Sequence, residues 1–390
     1  MDNKKRNILF ISAWYPDRIN PNLGNFVEKH ANAIAQNCNV NVLHVAFDTE
    51  MNDKRFELVS ESENNINVVR VYIKKKFYKI FPFNILQKIY LYLKAYNMGY
   101  KFIVSKYGNQ DLTHANILFP TGLIALYFKW RYNLQYIITE HWTGYLPDDP
   151  SEISMFQKFL AKKVVCNARF ITPVSRDLKR AMLVMCLKGK YKVIPNVVDV
   201  NIFKPKLDKV INTKVRFLHV SSLDDNQKNI TGLIKAASKL SSICNNFELF
   251  IVGDGDNSSY INYCEQLNVL NSTIFFESEK KPAEIAMLMQ QADCFVMFSN
   301  YESFSVVIAE ALACGLPIIA TNAGGISSEL TKDFGIIIKP NDEAALMLAM
   351  ANMMELHNEY DRLQLSAYAA KYSYENVGMA FYNLYKEILN

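Results

Sequence analysis

Residues 294–325 read CFVMFSNYESFSVVIAEALACGLPIIATNAGG. The run at 294–298 is short, bulky and continuously apolar, which marks a strand buried on both faces. A second such run, LPIIAT, follows at 316–321. Between them Val306–Cys314 has helical length and one charged residue, Glu310. Strands alternating with helices indicate a parallel sheet. Two acids stand out in this company, because a carboxylate loses hydration when buried. A capping box would explain a helical glutamate, but it needs Ser or Thr where Val307 stands. A basic partner elsewhere in the chain is the other ordinary explanation. Glu302 precedes the helix start near Ser303–Ser305, so it belongs to a loop at the carboxyl end of strand 294–298. Ligands of open α/β sheets bind at that edge. The helix N-terminus adds free N–H groups and a positive dipole end, which favour phosphate. These residues indicate a polar, phosphate-bearing ligand and name no reaction.

The same punctuation extends both ways. Strand-like runs occur at 7–13, 40–45, 67–73, 136–139, 170–174 and 191–194, then at 215–220, 247–253, 273–276, 294–298, 316–321 and 335–339. Two such series in 390 residues predict two doubly wound α/β domains. The expected division is 1–200, 201–372 and a C-terminal helix at 373–390, with the linker inside PNVVDVNIFKPKLDKVINTK (195–214). The helix has Val377, Phe381, Leu384, Tyr385 and Ile388 on one face, and periodicity fits packing on either domain.

Half the residues are hydrophobic and 13% are aromatic, which excludes a disordered chain. No run approaches the roughly 18–20 apolar residues of a membrane span. The opening MDNKKRNILFISAWYP imitates a signal peptide, but its apolar stretch is short, ends at Pro16 and lacks a small-residue cleavage pattern. It reads as a first strand, Ile8–Ala13. Seven cysteines without a C-x-x-C fit reduced thiols in a cytosolic protein.

Charge divides unevenly: residues 1–200 contain 28 Lys/Arg against 16 Asp/Glu, whereas the remainder contains 15 against 22. An anionic partner of the first half follows: a membrane surface, a lipid phosphate or a nucleic acid. From Asn64 to Gln110 there is no acid, and Lys74, Lys75, Lys76 and Lys79 lie among aromatic residues. After Pro82 the segment FNILQKIYLYLKAYNMGYKF reads as an amphipathic helix. It suits an anionic membrane, at the inner face for a cytosolic protein, or a core-packed helix with solvated lysines. No recognition motif accompanies the charge, so nucleic acid is not expected.

Smaller features share the loop-edge logic. Gly324-Gly325 follows LPIIAT and permits close backbone approach or makes a turn. Lys228, in SSLDDNQKNITGL, can reach a diphosphate or point to solvent. Gly24, in PNLGNF, lets a loop fold over a site after the first strand. GDGD (253–256) reads as a turn, and no D-x-D element is placed for a divalent metal.

In order along the chain, these segments resemble the family 4 retaining glycosyltransferases. That family has the GT-B architecture, two Rossmann-like doubly wound domains facing a central cleft. ILFISAWYPDRINPNLGNFVEKHANAIA is similar to the family's opening, and TEHW (139–142) resembles the segment that supplies a cleft histidine, here His141. VIPNVVDVNIFKP (193–205) is similar to the interdomain approach, with Val197 in place of the usual Gly. SSLDDNQKN (221–229) matches the donor-diphosphate region, and ESFSVVIAEALACGLPIIATNAGG matches the paired-glutamate signature.

The resemblance implies roles by position. Glu310 would accept from the ribose hydroxyls, which suits an acceptor-only carboxylate. Glu302 would accept from a donor-sugar hydroxyl and stabilise positive charge at the anomeric carbon. Lys228, with the backbone at Ser303, Phe304 and Ser305, would hold the leaving diphosphate. His141 would line the reaction centre. Gly24, Gly324 and Gly325 would border the donor. Ser222 stands where the family often has an arginine, which weakens the diphosphate clamp. The donor is thus a nucleotide diphosphosugar, with no cofactor or metal, and the acceptor a saccharide or lipid-linked saccharide. Rival readings on the same architecture are a nucleotide-sugar epimerase, a glycoside phosphorylase and a non-catalytic sugar-nucleotide-binding protein. A dehydrogenase is disfavoured, since no G-x-G-x-x-G follows the first strand.

Overall fold

In the computed structural model, which describes residues 5–51, 54–63, 66–75, 83–206 and 213–390, the apolar runs assemble into two separate sheets. Unit 1 comprises the chain up to Trp142, Glu152–Val197 and Tyr374–Asn390; unit 2 comprises Thr143–Ser151 and Val198–Ser373.

Unit 1 begins with β1 (Asn7–Ser12), α1 (Asn25–Ala35), β2 (Asn39–Asp48), β3 (Phe56–Glu63), β4 (Ile66–Lys74) and α2 (Phe83–Tyr107). It continues with β5 (Leu112–Asn116), α3 (Thr121–Tyr132), β6 (Tyr136–Glu140), α4 (Met155–Asn167), β7 (Phe170–Pro173) and α5 (Arg176–Val184). The sheet order is β3-β4-β2-β1-β5-β6-β7, parallel except for the edge strand β3. Unit 2 comprises β8 (Val215–Ser222), α6 (Asp225–Lys228), α7 (Ile230–Ser241), β9 (Phe247–Asp254), α8 (Ser258–Gln266), β10 (Ile274–Glu277) and α9 (Pro282–Gln291). Then come β11 (Cys294–Met297), α10 (Val306–Ala313), β12 (Ile318–Thr321), β13 (Gly335–Ile338), α11 (Glu343–Leu356) and α12 (Arg362–Ala369). Its sheet is parallel throughout, in the order β10-β9-β8-β11-β12-β13. Both units are therefore Rossmann-like.

Three strand readings need correction, the first being the omission of β3 (Phe56–Glu63), which pairs antiparallel with β4 at the sheet edge. YKVI (191–194) is not a strand: Tyr191 makes one isolated bridge to Ile171. Conversely, LTHAN forms β5, beside β1, although three of its five residues are polar. All five are buried; both ring nitrogens of His114 find partners within the fold, on Tyr385 and Thr139, whereas Thr113 Oγ1 and Asn116 Nδ2 find none among the described residues.

Strand order reverses beside the first strand of each unit. In unit 1 the chain runs outward from β1 through β2 and β4, then resumes on the other side with β5. In unit 2 it runs from β8 through β9 to β10, then resumes with β11. Loops leaving adjacent strands of opposite direction of travel diverge there, opening a crevice at the carboxyl edge.

The C-terminal helix α13 (Tyr374–Leu389) packs on α1 within unit 1. A Cβ at Gly378 would stand 2.2 Å from the Ala33 carbonyl oxygen, so the two backbones meet where only glycine fits. Phe381, Leu384 and Tyr385 are fully buried there. At about 0.8 kcal/mol per buried methylene, this face holds the helix more firmly than its short length would.

Candidate functional site

In unit 2, Lys228 and Glu302 are 74 positions apart in sequence, and the switch point brings them together. Lys228 ends α6, after β8, and Glu302 lies after β11. The Lys228 ammonium is 2.5 Å from Glu302 Oε1, with both side chains largely buried. Glu302 Oε1 also accepts from the Ser299 hydroxyl at 2.8 Å. The two loops are tied by backbone as well: Asn300 N–H donates to the Gln227 carbonyl at 2.8 Å, and the Asn300 amide to the Asn226 carbonyl at 2.8 Å. The pair is thus held by two loops joined through Asn300.

The loop after β12 buttresses the Glu302 segment. Glu302 N–H donates to the Ala323 carbonyl at 2.8 Å, and Ile326 N–H to the Phe304 carbonyl at 3.0 Å. Gly325 has φ +67, and a Cβ there would meet the Phe304 carbonyl oxygen at 2.7 Å. Gly324 is also left-handed, at φ +91. Ser305, the N-cap of α10, has φ 65 without being glycine. Its hydroxyl is buried and makes no hydrogen bond among the described residues. A non-glycine residue in that region is strained, and such strain is retained where the surroundings impose it. Phe304 is buried with its ring edge-on to Tyr372 at 5.4 Å. Ser303 is half-buried beside it. Glu310 is buried one turn into α10. Ser222 is exposed at the end of β8.

Unit 1 gathers Gly24 and His141 at its own carboxyl edge. Gly24 is left-handed at φ +73, and a Cβ there would lie 2.3 Å from the Trp14 carbonyl oxygen. Phe26, two residues on, places its ring 4.8 Å from the His141 ring. His141 is buried, and Nε2 stands 3.4 Å from Asn116 Oδ1. Burial holds its pKa well below the usual histidine range. His30 lies 5.3 Å away, its Nε2–H donating to the Pro195 carbonyl at 3.0 Å, and burial lowers its pKa to about 4. Among the described residues, buried His30 Nδ1 and Asn116 Nδ2 have no hydrogen-bond partner, and the Asn196 side chain faces the His141 ring. Orphaned polar groups at a sheet's carboxyl edge mark a place completed by water or by a polar ligand.

Sequence reasoning missed His30, Asn116, Asn196 and Glu140. Glu140 is fully buried at the end of β6; one oxygen accepts from the His141 and Trp142 N–H groups and the other from Leu118 N–H, at 2.8–2.9 Å. Desolvation raises its pKa to about 7, partly offset by those three amides. An acid closing a buried strand, beside the histidine of TEHW, was the available signal. Lys74 closes β4 and Lys75 follows it, separated from the switch point between β1 and β5 by β2 and β1. Lys76 and Lys79 lie outside the described residues. The helix expected after Pro82 is α2; its later turns are core-packed, through Leu91, Ala95, Tyr96, Gly99, Tyr100 and Ile103.

Comparison with known proteins adds a separate line. A family model described as Glycosyltransferase Family 4 matches residues 23–202, and one described as Glycosyl transferases group 1 matches residues 203–372. Protein CapJ of Staphylococcus aureus is 27% identical over 244 residues, 61% of this chain and 61% of CapJ, so the match spans about three fifths of that relative. An uncharacterized glycosyltransferase of Methanocaldococcus jannaschii is 26% identical, over 76% of this chain and 80% of its own. Among solved structures, sucrose-phosphate synthase from Thermosynechococcus elongatus superposes with TM-score 0.77 at 20% identity, covering 98% of this chain and 99% of that one. Anabaena HepE in complex with UDP and glucose gives TM-score 0.70 at 16% identity, covering 98% and 100%.

Proposed function

Because the chain belongs to glycosyltransferase family 4 and its two Rossmann-like units are those of the GT-B fold, we propose that it transfers a sugar from a nucleotide diphosphosugar to a saccharide or lipid-linked acceptor. Transfer retains the anomeric configuration, needs no divalent metal and serves the assembly of a surface polysaccharide or glycolipid. The observation that carries this reading is the Lys228–Glu302 pair at the switch point of unit 2, beside the start of α10.

That arrangement suits departure of a diphosphate. Lys228 has three N–H donors; one is directed at Glu302, and the others serve the phosphate oxygens. The first-turn amides of α10 add partial positive charge at the same edge. Positive charge fixed in advance stabilises the leaving group without a metal and without reorganisation at the moment of reaction. Glu302, held by Lys228 and Ser299, is oriented to accept from a donor-sugar hydroxyl and to stabilise charge developing at the anomeric carbon. Glu310, inside α10, takes the ribose diol. The α10 N-terminus offsets part of the loss of the arginine whose place Ser222 takes. Of the fold neighbours, HepE was solved with UDP and glucose, which supports a nucleotide sugar as donor. In unit 1, His141 and the orphaned polar atoms around it suit the hydroxyls of the reacting sugars.

A thermal-shift panel of UDP-, GDP- and ADP-sugars tests the donor, since a ligand bound to the native state raises the melting point by mass action. Glu310→Ala should weaken that shift by tenfold or more in apparent affinity, from about 1.5–3 kcal/mol for hydrogen bonds to a charged group. Glu302→Ala should leave the shift and lower turnover. Identical behaviour of the two variants, or transfer abolished by a chelator and restored by a divalent ion, would sink the assignment. NMR of the product reads the anomeric outcome.

A further inference from the structure

Helices α2, α3 and α4 lie on one face of the unit 1 sheet, each following a parallel strand through a crossover of the same hand. Tyr96 and Tyr100 of α2 pack on Phe128 of α3, and α3 packs in turn on α4. None of the three contains an aspartate or glutamate. Lys88 and Lys94 of α2, and Lys158, Lys162 and Lys163 of α4, are the relevant cations.

Because each helix follows a parallel strand, all three start at the sheet's carboxyl edge. The starts of α2 and α4 are apolar and uncovered. Phe83, Leu86 and Ile89 are 61%, 59% and 53% exposed; Met155, Phe156 and Phe159 are 81%, 70% and 55% exposed. Packed positions begin only at Leu91 on α2 and Ala161 on α4. The later turns therefore fix each helix to the sheet, while the first turns project apolar side chains beside lysines. A pocket of about 430 Å³ opens beside this start of α2, lined in part by Ile19, Leu23, Phe47, Ile89 and Tyr92, with Lys88 also in its wall.

We propose that this three-helix face docks unit 1 on an anionic lipid surface, with the first turns of α2 and α4 entering the headgroup layer together. Charge selects the occupant. A second copy of the same face would oppose lysine to lysine, and nucleic acid offers nothing to bury the aliphatic tips against. An anionic bilayer answers both halves of the pattern, phosphate for the lysines and acyl chains for the tips. The involvement of α4, which no acidic or basic run in the sequence advertises, distinguishes this from attachment through residues 74–79 alone. The proposal goes beyond the transferase reading and does not rest on it, since partition onto vesicles and the nucleotide-sugar thermal shift can fail separately.

Flotation of the full chain with vesicles of phosphatidylcholine, alone or with phosphatidylserine, is the test. Binding to the phosphatidylserine vesicles alone, weakened by salt, is expected. The triple variant K158E/K162E/K163E should lower the partition by about a hundredfold. L86S/I89S should lower it by about tenfold. Glu152 is exposed just ahead of α4, and E152K should strengthen binding. All three variants should keep the wild-type melting temperature, which separates lost docking from lost folding. Several outcomes overturn the proposal. They are no flotation on anionic vesicles, full binding by the α4 variant, a dimer that these substitutions dissociate, or retention on RNA in place of vesicles.

Discussion

The Lys228 cluster of unit 2 and the His141 cluster of unit 1 handle burial in opposite ways. In unit 2 the groups at the switch point are charged and matched: Lys228 meets Glu302 at 2.5 Å. In unit 1 the cluster of His30, His114 and His141 has no carboxylate hydrogen-bonded to its rings among the described residues, although elsewhere on the same sheet His44 is paired with Asp17 at 2.9 Å. Burial keeps His114 and His141 well below the usual histidine range and His30 at about 4, and it pushes Glu140 up to about 7. Where an opposite charge lies within hydrogen-bond reach, the charged form survives desolvation; where none does, the neutral form prevails. One topology thus supports an ionic cluster and a neutral one.

The largest consequence is acid lability of unit 1. A histidine whose folded pKa is depressed binds its proton on unfolding, so its stabilising contribution is complete above pH 6.5 and is lost as pH falls toward the folded value. For His30, between 6.5 and about 4, this is about 3 kcal/mol, with His114 and His141 adding to it. Glu140 runs the other way. Its folded pKa is raised, so its contribution is complete below the usual 4.5 and is lost as pH rises to about 7. Melting curves between pH 4 and 8 should show net destabilisation in acid. E140Q should remove the opposing slope and lower the maximum, because the new amide turns a donor toward a backbone N–H, at Leu118 in the present geometry. A flat profile from pH 7 to 4 would break the contrast.

Next comes the ionic cluster. Lys228→Met removes the cation and leaves Glu302 buried beside Ser299 alone. Breaking a buried pair by removing one partner costs about 3–5 kcal/mol. Turnover should fall by about a hundredfold to a thousandfold as the leaving group loses its preorganised charge. Calorimetry and single-turnover transfer read the two effects. Loss of stability without loss of turnover would make the pair a purely structural clamp.

The smallest effect tests how the neutral cluster is satisfied. Thr172 donates to the Ile138 carbonyl, so Thr139 donates to Thr172 and receives the Nε2–H of His114. His114 Nδ1 then accepts from Tyr385, 2.6 Å away. Tyr385→Phe should cost about 1–3 kcal/mol by leaving that nitrogen unsatisfied. Hydrogen exchange confined to faster opening of α13 would support the relay; no change in stability would refute it.

The doubly wound class was legible in the sequence wherever strands were continuous apolar runs, as at β1 and β11. It was not legible at β5, because LTHAN is buried through a relay that ends on Tyr385, 271 positions from His114. The paired glutamates were legible as an anomaly of burial. That Glu302 is the one bound to Lys228 was not, since a loop lysine in sequence is equally a solvated one. The family resemblance located His141, yet the neighbours that keep it neutral come from α1, β5 and the segment before residue 198.

Local chemistry alone determined the alternation of strand and helix, the glycine turns and the placement of an acid at a helix start, because each depends on residues within one turn or one strand. Tertiary structure decided which distant groups meet, and therefore which stay charged. It placed Lys228 on Glu302 across a reversal of strand order, and set three histidines and Glu140 where water and counter-charge are excluded. It also set the acid-free helices α2, α3 and α4 side by side. Protonation and docking are properties of surroundings, and surroundings exist only once the chain has closed on itself.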